Sequence, residues 1–102
     1  MISVSCFGEI LWDVFPSYRR IGGAPLNVAL RMHILGASVH MISRLGKDKD
    51  GEEILNYLKE QRLSPDLIQL DAQYKTGTVD VHLDKTRTAT YTINKPAAWD
   101  AI

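Results

Sequence analysis

The sequence predicts an α/β fold in which helices flank a parallel sheet and an antiparallel β hairpin projects from it. The short apolar run from Ile2 to Phe7, closed by Gly8, is typical of a buried parallel strand. A glycine pair, Gly22-Gly23, leads directly into a segment with helical spacing. From Gly77 onward, apolar residues recur at every second position, which indicates strands. These three patterns together favour a mixed α/β domain over an all-α or all-β one.

The first part of the chain has the pattern of a β-α-β unit. We expect Ile2–Phe7 to be the central first strand of the sheet, and residues 11–21 to be a strand pair or arm that leaves it. The spacing predicts a helix over residues 25–35, with Gly36 at its C′ position. Residues 38–45 then return as a second sheet strand, through a right-handed crossover.

A second helix and a third strand follow. Residues 51–61 carry apolar side chains on one helical face and charged side chains on the other, which predicts an amphipathic helix over the sheet. Either Asp48 or Asp50 is suited to cap it. The short run at residues 67–70 predicts a brief third strand.

The last part of the chain predicts a threonine-rich antiparallel hairpin. Its strands lie on either side of a turn at residues 84–87, and residues 97–102 have the pattern of another helix start. One face is apolar and consists of Val79, Val81, Leu83, Tyr91 and Ile93. Because a two-stranded hairpin cannot bury such a face by itself, a ligand, another subunit or the arm at residues 11–21 must cover it.

The composition limits the class of protein. A chain of 102 residues is one domain or part of one. Its 12 basic and 12 acidic residues cancel, so the charge predicts no binding to nucleic acid or to an anionic membrane. The sequence has no pattern of a signal peptide or a membrane-spanning run, and its single cysteine, Cys6, predicts a buried thiol without a disulfide. We therefore expect a cytoplasmic protein.

The glycine pair and two polar side chains point to a ligand site. Two glycines let the backbone approach a ligand closely, and Pro25 suits the first turn of a helix. Asn27 then lies in that turn, and Asp13 comes from the end of the preceding strand. A carboxylate and a carboxamide that meet there can bind adjacent hydroxyls. The alternative is structural: a turn, a helix N-terminus and a solvated Asp13.

These segments resemble one family in order and spacing. Residues 22–36 resemble the first glycine-rich motif of the ribokinase (PfkB) family of carbohydrate kinases, and Gly8-Glu9-Ile10-Leu11-Trp12-Asp13-Val14-Phe15-Pro16 resembles the opening strand of its fructokinase-like members. Residues 44–51 resemble its Gly-x-Asp-x-x-Gly segment, and Thr76-Gly77-Thr78 with residues 91–100 resembles its second pair of lid strands. The resemblance implies that residues 1–102 are the N-terminal part of one ribokinase-like (Rossmann-like) domain, with lid strands at approximately 11–21 and 76–94.

The resemblance also implies roles for particular residues. Those that would contact the sugar are Asp13, Gly22, Gly23 and Asn27, with Tyr91 and Ile93 as candidate contacts from the lid. In this family the lid closes over the sugar and can pair with a second subunit, so a homodimer through the β lid is implied. The full-length enzyme would use ATP and Mg²⁺.

The catalytic half of the family pattern is not in this chain. The family's catalytic aspartate belongs to a Gly-Ala-Gly-Asp motif that also forms an anion hole, and neither Gly23-Ala24 nor Gly36-Ala37 continues in that way. A Walker-type phosphate loop does not occur either. We therefore expect no catalytic, cofactor-binding or metal-binding residue here, and no phosphate transfer by residues 1–102 alone. The alternative is a non-catalytic sugar-binding or dimerisation module of the same fold.

Details within the motifs bear on the substrate. Ribokinases favour Gly-Lys-Gly-Ala where this chain has Ala24-Pro25-Leu26, and asparagine where it has Leu11, so the fructokinase-like branch is favoured. The resemblance to this branch favours a ketohexose as the substrate and leaves ribosides and acidic sugars open. Trp12 and Trp99 either flank the sugar or anchor the arm and the terminal helix. The histidines lack the spacing of metal ligands; they are His33, His40 and His82.

Overall fold

The computed structural model describes residues 2–102 and confirms the predicted order of helices and strands. In chain order the elements are β1 (Ser3–Phe7), β2 (Leu11–Val14), β3 (Arg19–Gly22), α1 (Ala24–Ile34), β4 (Ser38–Gly46), α2 (Lys49–Glu60), β5 (Ile68–Asp71), β6 (Gly77–Leu83), β7 (Ala89–Ile93) and a 3-10 helix (Ala98–Ala101). They form a three-stranded sheet in the order β1-β4-β5 and a four-stranded sheet in the order β3-β2-β6-β7. Neither α-helix within residues 2–102 is long and apolar enough to cross a membrane.

The three-stranded sheet is parallel and contains the predicted β-α-β unit. Strand β1 pairs with β4 from Ser3 opposite Ser38 to Phe7 opposite Ile42, and α1 connects the two strands. Helix α1 ends before Gly36, which has a φ of 93° and donates its N–H to the His33 carbonyl at 3.0 Å. This is the C′ role predicted for that glycine.

Strand β1 corrects one prediction. It was expected to be the buried central strand, but within the described residues β4 is central and β1 lies at the sheet edge. Ile2 and Phe7 are 71% and 64% exposed, and of the apolar β1 side chains only Cys6 is buried. The apolar run therefore predicted a strand correctly. It could not show whether that strand lies at the edge or in the centre of the sheet, because this depends on which other segments pair with it.

The core lies between the helices and the parallel sheet. Buried positions on β4 alternate along the strand, so that Val39, Met41, Ser43 and Leu45 lie on one face. The largest fully buried apolar side chains are Ile10, Leu26, Met41, Leu45, Ile54, Leu58 and Leu63. Both helices contact β4, the central strand of this sheet.

The four-stranded sheet is the lid. Strand β2 pairs antiparallel with β3 and parallel with β6, so it joins the arm to the hairpin formed by β6 and β7. The arm pairs edge to edge with the hairpin and extends it into a wider sheet, in which Val79 and Val81 are buried. Tyr91 and Ile93 remain 65% and 51% exposed on the same face. Part of the apolar face therefore stays uncovered although the arm lies beside the hairpin.

Candidate functional site

A cavity of about 450 Å³ lies where the lid meets the start of α1. It is open on one side and combines acidic, amide, aromatic and aliphatic side chains. Its lining residues are Glu9, Leu11, Asp13, Gly23, Ala24, Asn27, Val79, Tyr91, Ile93 and Trp99. This volume lies within the range of roughly 300–1,000 Å³ that is usual for small-molecule sites.

The glycine pair makes this cavity sterically possible. A Cβ atom at Gly22 would collide with a carboxylate oxygen of Asp13, and one at Gly23 would collide with the Glu9 carbonyl. Gly23 also has a φ of 113°, a conformation that other residues rarely adopt. Gly22 therefore leaves room for the Asp13 carboxylate, and Gly23 lets the start of α1 approach the segment between β1 and β2.

Asp13 presents a carboxylate without a hydrogen-bond partner in the described part of the chain. It lies on β2 opposite Arg20 of β3, which places both side chains on one face of the lid. None of the hydrogen bonds and ion pairs among residues 2–102 involves its carboxylate. Partial burial raises the pKa of Asp13, and the nearby Arg20 guanidinium opposes that rise. The carboxylate is thus partly desolvated and free to accept hydrogen bonds.

Asn27 supplies a second free polar group from the first turn of α1. Its backbone N–H donates to the Gly23 carbonyl at 3.0 Å, which fixes the turn. Its carboxamide is exposed and takes part in no hydrogen bond to the rest of the described chain. A carboxamide both donates and accepts, whereas an ionised carboxylate only accepts. Together, Asp13 and Asn27 can therefore hold two neighbouring hydroxyls.

The cavity brings together most of the residues singled out in the sequence. Asp13, Gly23, Asn27, Tyr91 and Ile93 all line it. Gly22 does not line the cavity but lies directly beneath the Asp13 carboxylate. Sequence reasoning predicted no sugar contact by Glu9, Leu11 or Ala24, which also line the cavity, and it placed Val79 only on the apolar face of the hairpin. The position of Glu9, directly after the Gly8 that ends the first strand, was the available signal for an acidic residue here.

The two tryptophans have different surroundings. Trp12 lies on the opposite face of β2 from Asp13, where its indole Nε1 donates to the Asp50 carbonyl at 3.2 Å. The Arg19 guanidinium carbon lies 3.8 Å from the centroid of its ring. Trp12 is therefore an anchor between the arm and α2. Trp99 lines the cavity instead.

The Gly-x-Asp-x-x-Gly segment has a structural role in this chain. The Asp48 carboxylate caps α2 by accepting from the Gly51 N–H at 2.8 Å, and it also accepts from the Thr76 N–H at 2.9 Å. Burial raises the pKa of Asp48, but the hydrogen bonds from Thr76 and Gly51 outweigh that effect and lower it below its ordinary value. Asp48 is thus the cap, whereas Asp50 pairs with Arg19.

A larger cavity of about 770 Å³ lies on the other face of the lid, between the start of α2 and Thr78. Its two aspartates are already used, since Asp48 binds Thr76 and Asp50 binds Arg19. The larger cavity also has side chains without a hydrogen bond among residues 2–102, such as Gln73 and Lys75, but the smaller one contains the predicted residues Asp13, Gly23 and Asn27 and is therefore taken as the candidate ligand site. The three histidines lie on α1, β4 and β6, and no group of three potential metal ligands occurs among residues 2–102.

Comparison with known proteins identifies relatives of the chain. A family profile described as pfkB family carbohydrate kinase matches residues 4–101. The fructokinase of Salmonella typhimurium is 35% identical over 90 residues, which cover 83% of this chain and 29% of that protein. The fructokinase of Klebsiella pneumoniae is 37% identical over 71 residues, which cover 70% of this chain and 23% of that protein. The chain therefore spans about a quarter of the length of these relatives.

Solved structures show the same architecture. The apo crystal structure of fructokinase from Vibrio cholerae O395 superposes with a TM-score of 0.87 at 28% identity, covering 97% of this chain and 36% of that one. The fructokinase from Xylella fastidiosa with bound ATP gives a TM-score of 0.83 at 32% identity, covering 95% and 32%. The predicted fold class, a ribokinase-like parallel sheet with helices and a projecting β lid, is therefore confirmed.

Proposed function

Because this chain belongs to the pfkB family of carbohydrate kinases, which are phosphotransferases, we propose that it is the sugar-binding N-terminal part of one ribokinase-like kinase domain. The whole protein transfers the γ-phosphate of ATP to a sugar hydroxyl. Residues 1–102 supply the sugar site and the lid strands at approximately 11–21 and 76–94, and a C-terminal part supplies nucleotide binding. The observation that carries this proposal is the meeting of two unpaired polar groups, Asp13 and Asn27, in one cavity.

The site chemistry fits a sugar. Asp13 and Asn27 bind adjacent hydroxyls, while Gly23 lets the backbone of α1 approach the ring. Tyr91 and Ile93 contact the sugar from the lid. We propose a ketohexose as the substrate, and two observations support it: relatives are named fructokinases, and the sequence departs from the ribokinase pattern at Ala24-Pro25-Leu26.

We propose ATP and Mg²⁺ as the donor and metal of the whole protein. Fructokinase from Xylella fastidiosa has been solved with bound ATP, which supports the donor. Phosphoryl transfer needs donors around the phosphates and a base for the accepting hydroxyl. We assign neither role to a residue of this chain, so the part proposed here is to bind and orient the sugar.

The exposed part of the lid supports a homodimer. Leu83, Tyr91 and Ile93 lie on one face of the hairpin and are more than half exposed. A contiguous apolar face of this kind marks an interaction surface. We propose that it contacts a second copy, and that the protein is cytoplasmic, where its single buried free cysteine, Cys6, stays reduced.

A coupled assay for ADP tests the kinase proposal. The full-length protein with D-fructose and Mg²⁺-ATP is expected to turn over, whereas residues 1–102 alone are expected to release no ADP above the blank. Activity of purified residues 1–102 that scales with protein would contradict the proposed division of the domain. Sugar binding by the full-length protein without turnover on any sugar would instead support a non-catalytic module.

A further inference from the structure

Trp99 forms a fixed wall of the cavity. Its pyrrole edge packs against Gly77, where an added Cβ would lie only 2.6 Å from Cδ1 and 2.7 Å from Nε1. Real Cβ atoms do not approach other atoms this closely, so the indole occupies space that exists only because residue 77 is glycine. Trp99 also lines the cavity that contains Asp13 and Asn27.

The backbone around Trp99 is also fixed. The Ala97 N–H donates to the Asp100 carboxylate at 2.9 Å, and the Ala98 N–H donates to the Lys75 carbonyl at 2.7 Å. Ala97 and Ala98 are buried, so the 3-10 helix that carries Trp99 is held by packing as well as by hydrogen bonds. A ligand therefore meets an aromatic surface that is already in position, which reduces the entropy lost on binding.

Trp99 also lacks the polar contact that marks the other tryptophan as an anchor. The indole N–H of Trp12 donates to the Asp50 carbonyl, whereas no hydrogen bond among the described residues uses the indole N–H of Trp99. Trp99 is only partly buried, although its neighbours Ala97 and Ala98 are fully enclosed. Exposed apolar area on a residue that lines a cavity is area that a ligand can cover.

We propose that Trp99 is a specificity-determining residue that packs on the apolar C–H face of a cyclic sugar, an inference that rests on the proposed function of this site. A sugar ring presents hydroxyls at its rim and C–H groups on its faces. Asp13 and Asn27 bind rim hydroxyls, and the flat indole covers a face, so the cavity recognises a closed ring. An acyclic polyol with the same hydroxyls has no such face and gains less from Trp99.

The two tryptophans supply a matched pair of variants for a test on the full-length protein. In Trp99→Phe the change in tryptophan fluorescence on adding D-fructose is expected to disappear, while in Trp12→Phe it is expected to remain. Trp99→Ala should raise the KM for D-fructose about tenfold, equivalent to about 1.4 kcal/mol, with the KM for ATP unchanged. The KM of Trp99→Phe should lie between those of wild type and Trp99→Ala. D-mannitol, an acyclic polyol, should inhibit wild type and Trp99→Ala equally weakly.

Several outcomes would overturn this inference. A fluorescence change that survives in Trp99→Phe and vanishes in Trp12→Phe would mean that Trp12, and not Trp99, contacts the sugar. An unchanged KM in a folded Trp99→Ala variant would show that the indole is only structural, and if that variant does not fold, the Trp99→Phe fluorescence and KM decide. If Asp13→Asn impairs sugar use while both Trp99 variants keep the wild-type KM for D-fructose, only the proposed role of Trp99 is wrong. If wild type phosphorylates no sugar, the proposed function itself fails.

Discussion

The Thr76 hydroxyl donates a hydrogen bond to the Asp48 carboxylate at 2.7 Å, although the two residues are 28 positions apart. Thr76 immediately precedes the lid strand β6, and Asp48 caps α2 at the end of the parallel sheet. The same hydroxyl accepts from the Gly46 N–H at 2.9 Å, so this pair connects the lid to the sheet through buried atoms. The pair therefore fixes where β6 starts, and with it the wall that Val79 contributes to the cavity.

Thr76→Val tests this connection. Valine has the shape of threonine but no hydroxyl, so the buried Gly46 N–H loses its partner, and the expected loss in the free energy of unfolding is about 1–3 kcal/mol. Thr86→Val is the matched control, because the Thr86 hydroxyl donates to Asp84 at 2.7 Å in an exposed turn. Urea unfolding of the full-length protein measures both. Equal and small losses in the two variants would mean that the buried connection adds no stability.

Acid should weaken the fold through Asp71. The Tyr74 N–H, the Arg44 side chain and the Gln73 N–H donate to its carboxylate and lower the pKa of Asp71 from 3.8 to about 2. A carboxyl with a lowered pKa in the folded state contributes stability above its unfolded pKa, and this contribution is lost as the pH falls through the folded value. The free energy of unfolding should therefore decline between pH 3.8 and about 2.

Asp71→Asn isolates this contribution. The variant should be less stable than wild type at neutral pH, and its stability should fall less steeply with acid in the same interval. Asp66→Asn, at an exposed position just before β5, is the control for the loss of one negative charge. Denaturant unfolding at a series of pH values gives both slopes. If Asp71→Asn leaves the slope of stability against pH unchanged, Asp71 does not cause the loss of stability in acid.

The convergence of Asp13, Gly23 and Asn27 could be predicted because it depends on local signals. A strand end, a glycine pair and a helix start follow one another within a few residues, and a β-α-β unit brings such points to the same sheet edge. The parallel pairing of β2 with β6 could not be predicted in this way, because Leu11 lies opposite Gly77 with no local signal linking them. The different roles of Trp12 and Trp99 follow from that pairing and were left open for the same reason.

Asp13→Asn and Asn27→Ala should each impair sugar use without loss of the fold. Asn27→Ala removes a carboxamide, and Asp13→Asn replaces one charged acceptor oxygen with an N–H donor, so kcat/KM for the sugar should fall by the equivalent of about 1–3 kcal/mol in each variant. Asn56→Ala, on the exposed face of α2, is the control for Asn27→Ala. Steady-state kinetics and thermal unfolding measure the two effects separately. Variants that retain wild-type kinetics, or that simply unfold, would refute the sugar-contact assignment.

The raised pKa of Asp13 predicts a pH dependence of stability that is opposite in sign to that of Asp71. Burial raises the pKa of Asp13, so its contribution to stability is present below pH 3.8 and is lost as the pH rises through the folded value. At neutral pH the ionised carboxylate therefore costs stability in the absence of sugar. Asp13→Asn should leave the melting temperature equal to or higher than that of wild type while sugar use falls. A lower melting temperature would indicate a structural role for the carboxylate.

Tyr91→Lys tests the lid face where it is still exposed. Tyr91 lies opposite Val81 on the apolar face of the hairpin, but Tyr91 is 65% exposed and Val81 only 3%. A lysine at position 91 stays solvated in the monomer and must be desolvated when a second subunit or the sugar covers the face, so dimerisation should weaken, the KM for sugar should rise, or both should occur. Light scattering and sugar kinetics on the full-length protein measure these effects.

The matched variant Val81→Lys places the charge in a face that is already packed and should instead lower the melting temperature. If Tyr91→Lys keeps the wild-type mass and KM, the exposed face serves neither a partner nor the sugar, and the proposed roles of the lid are wrong.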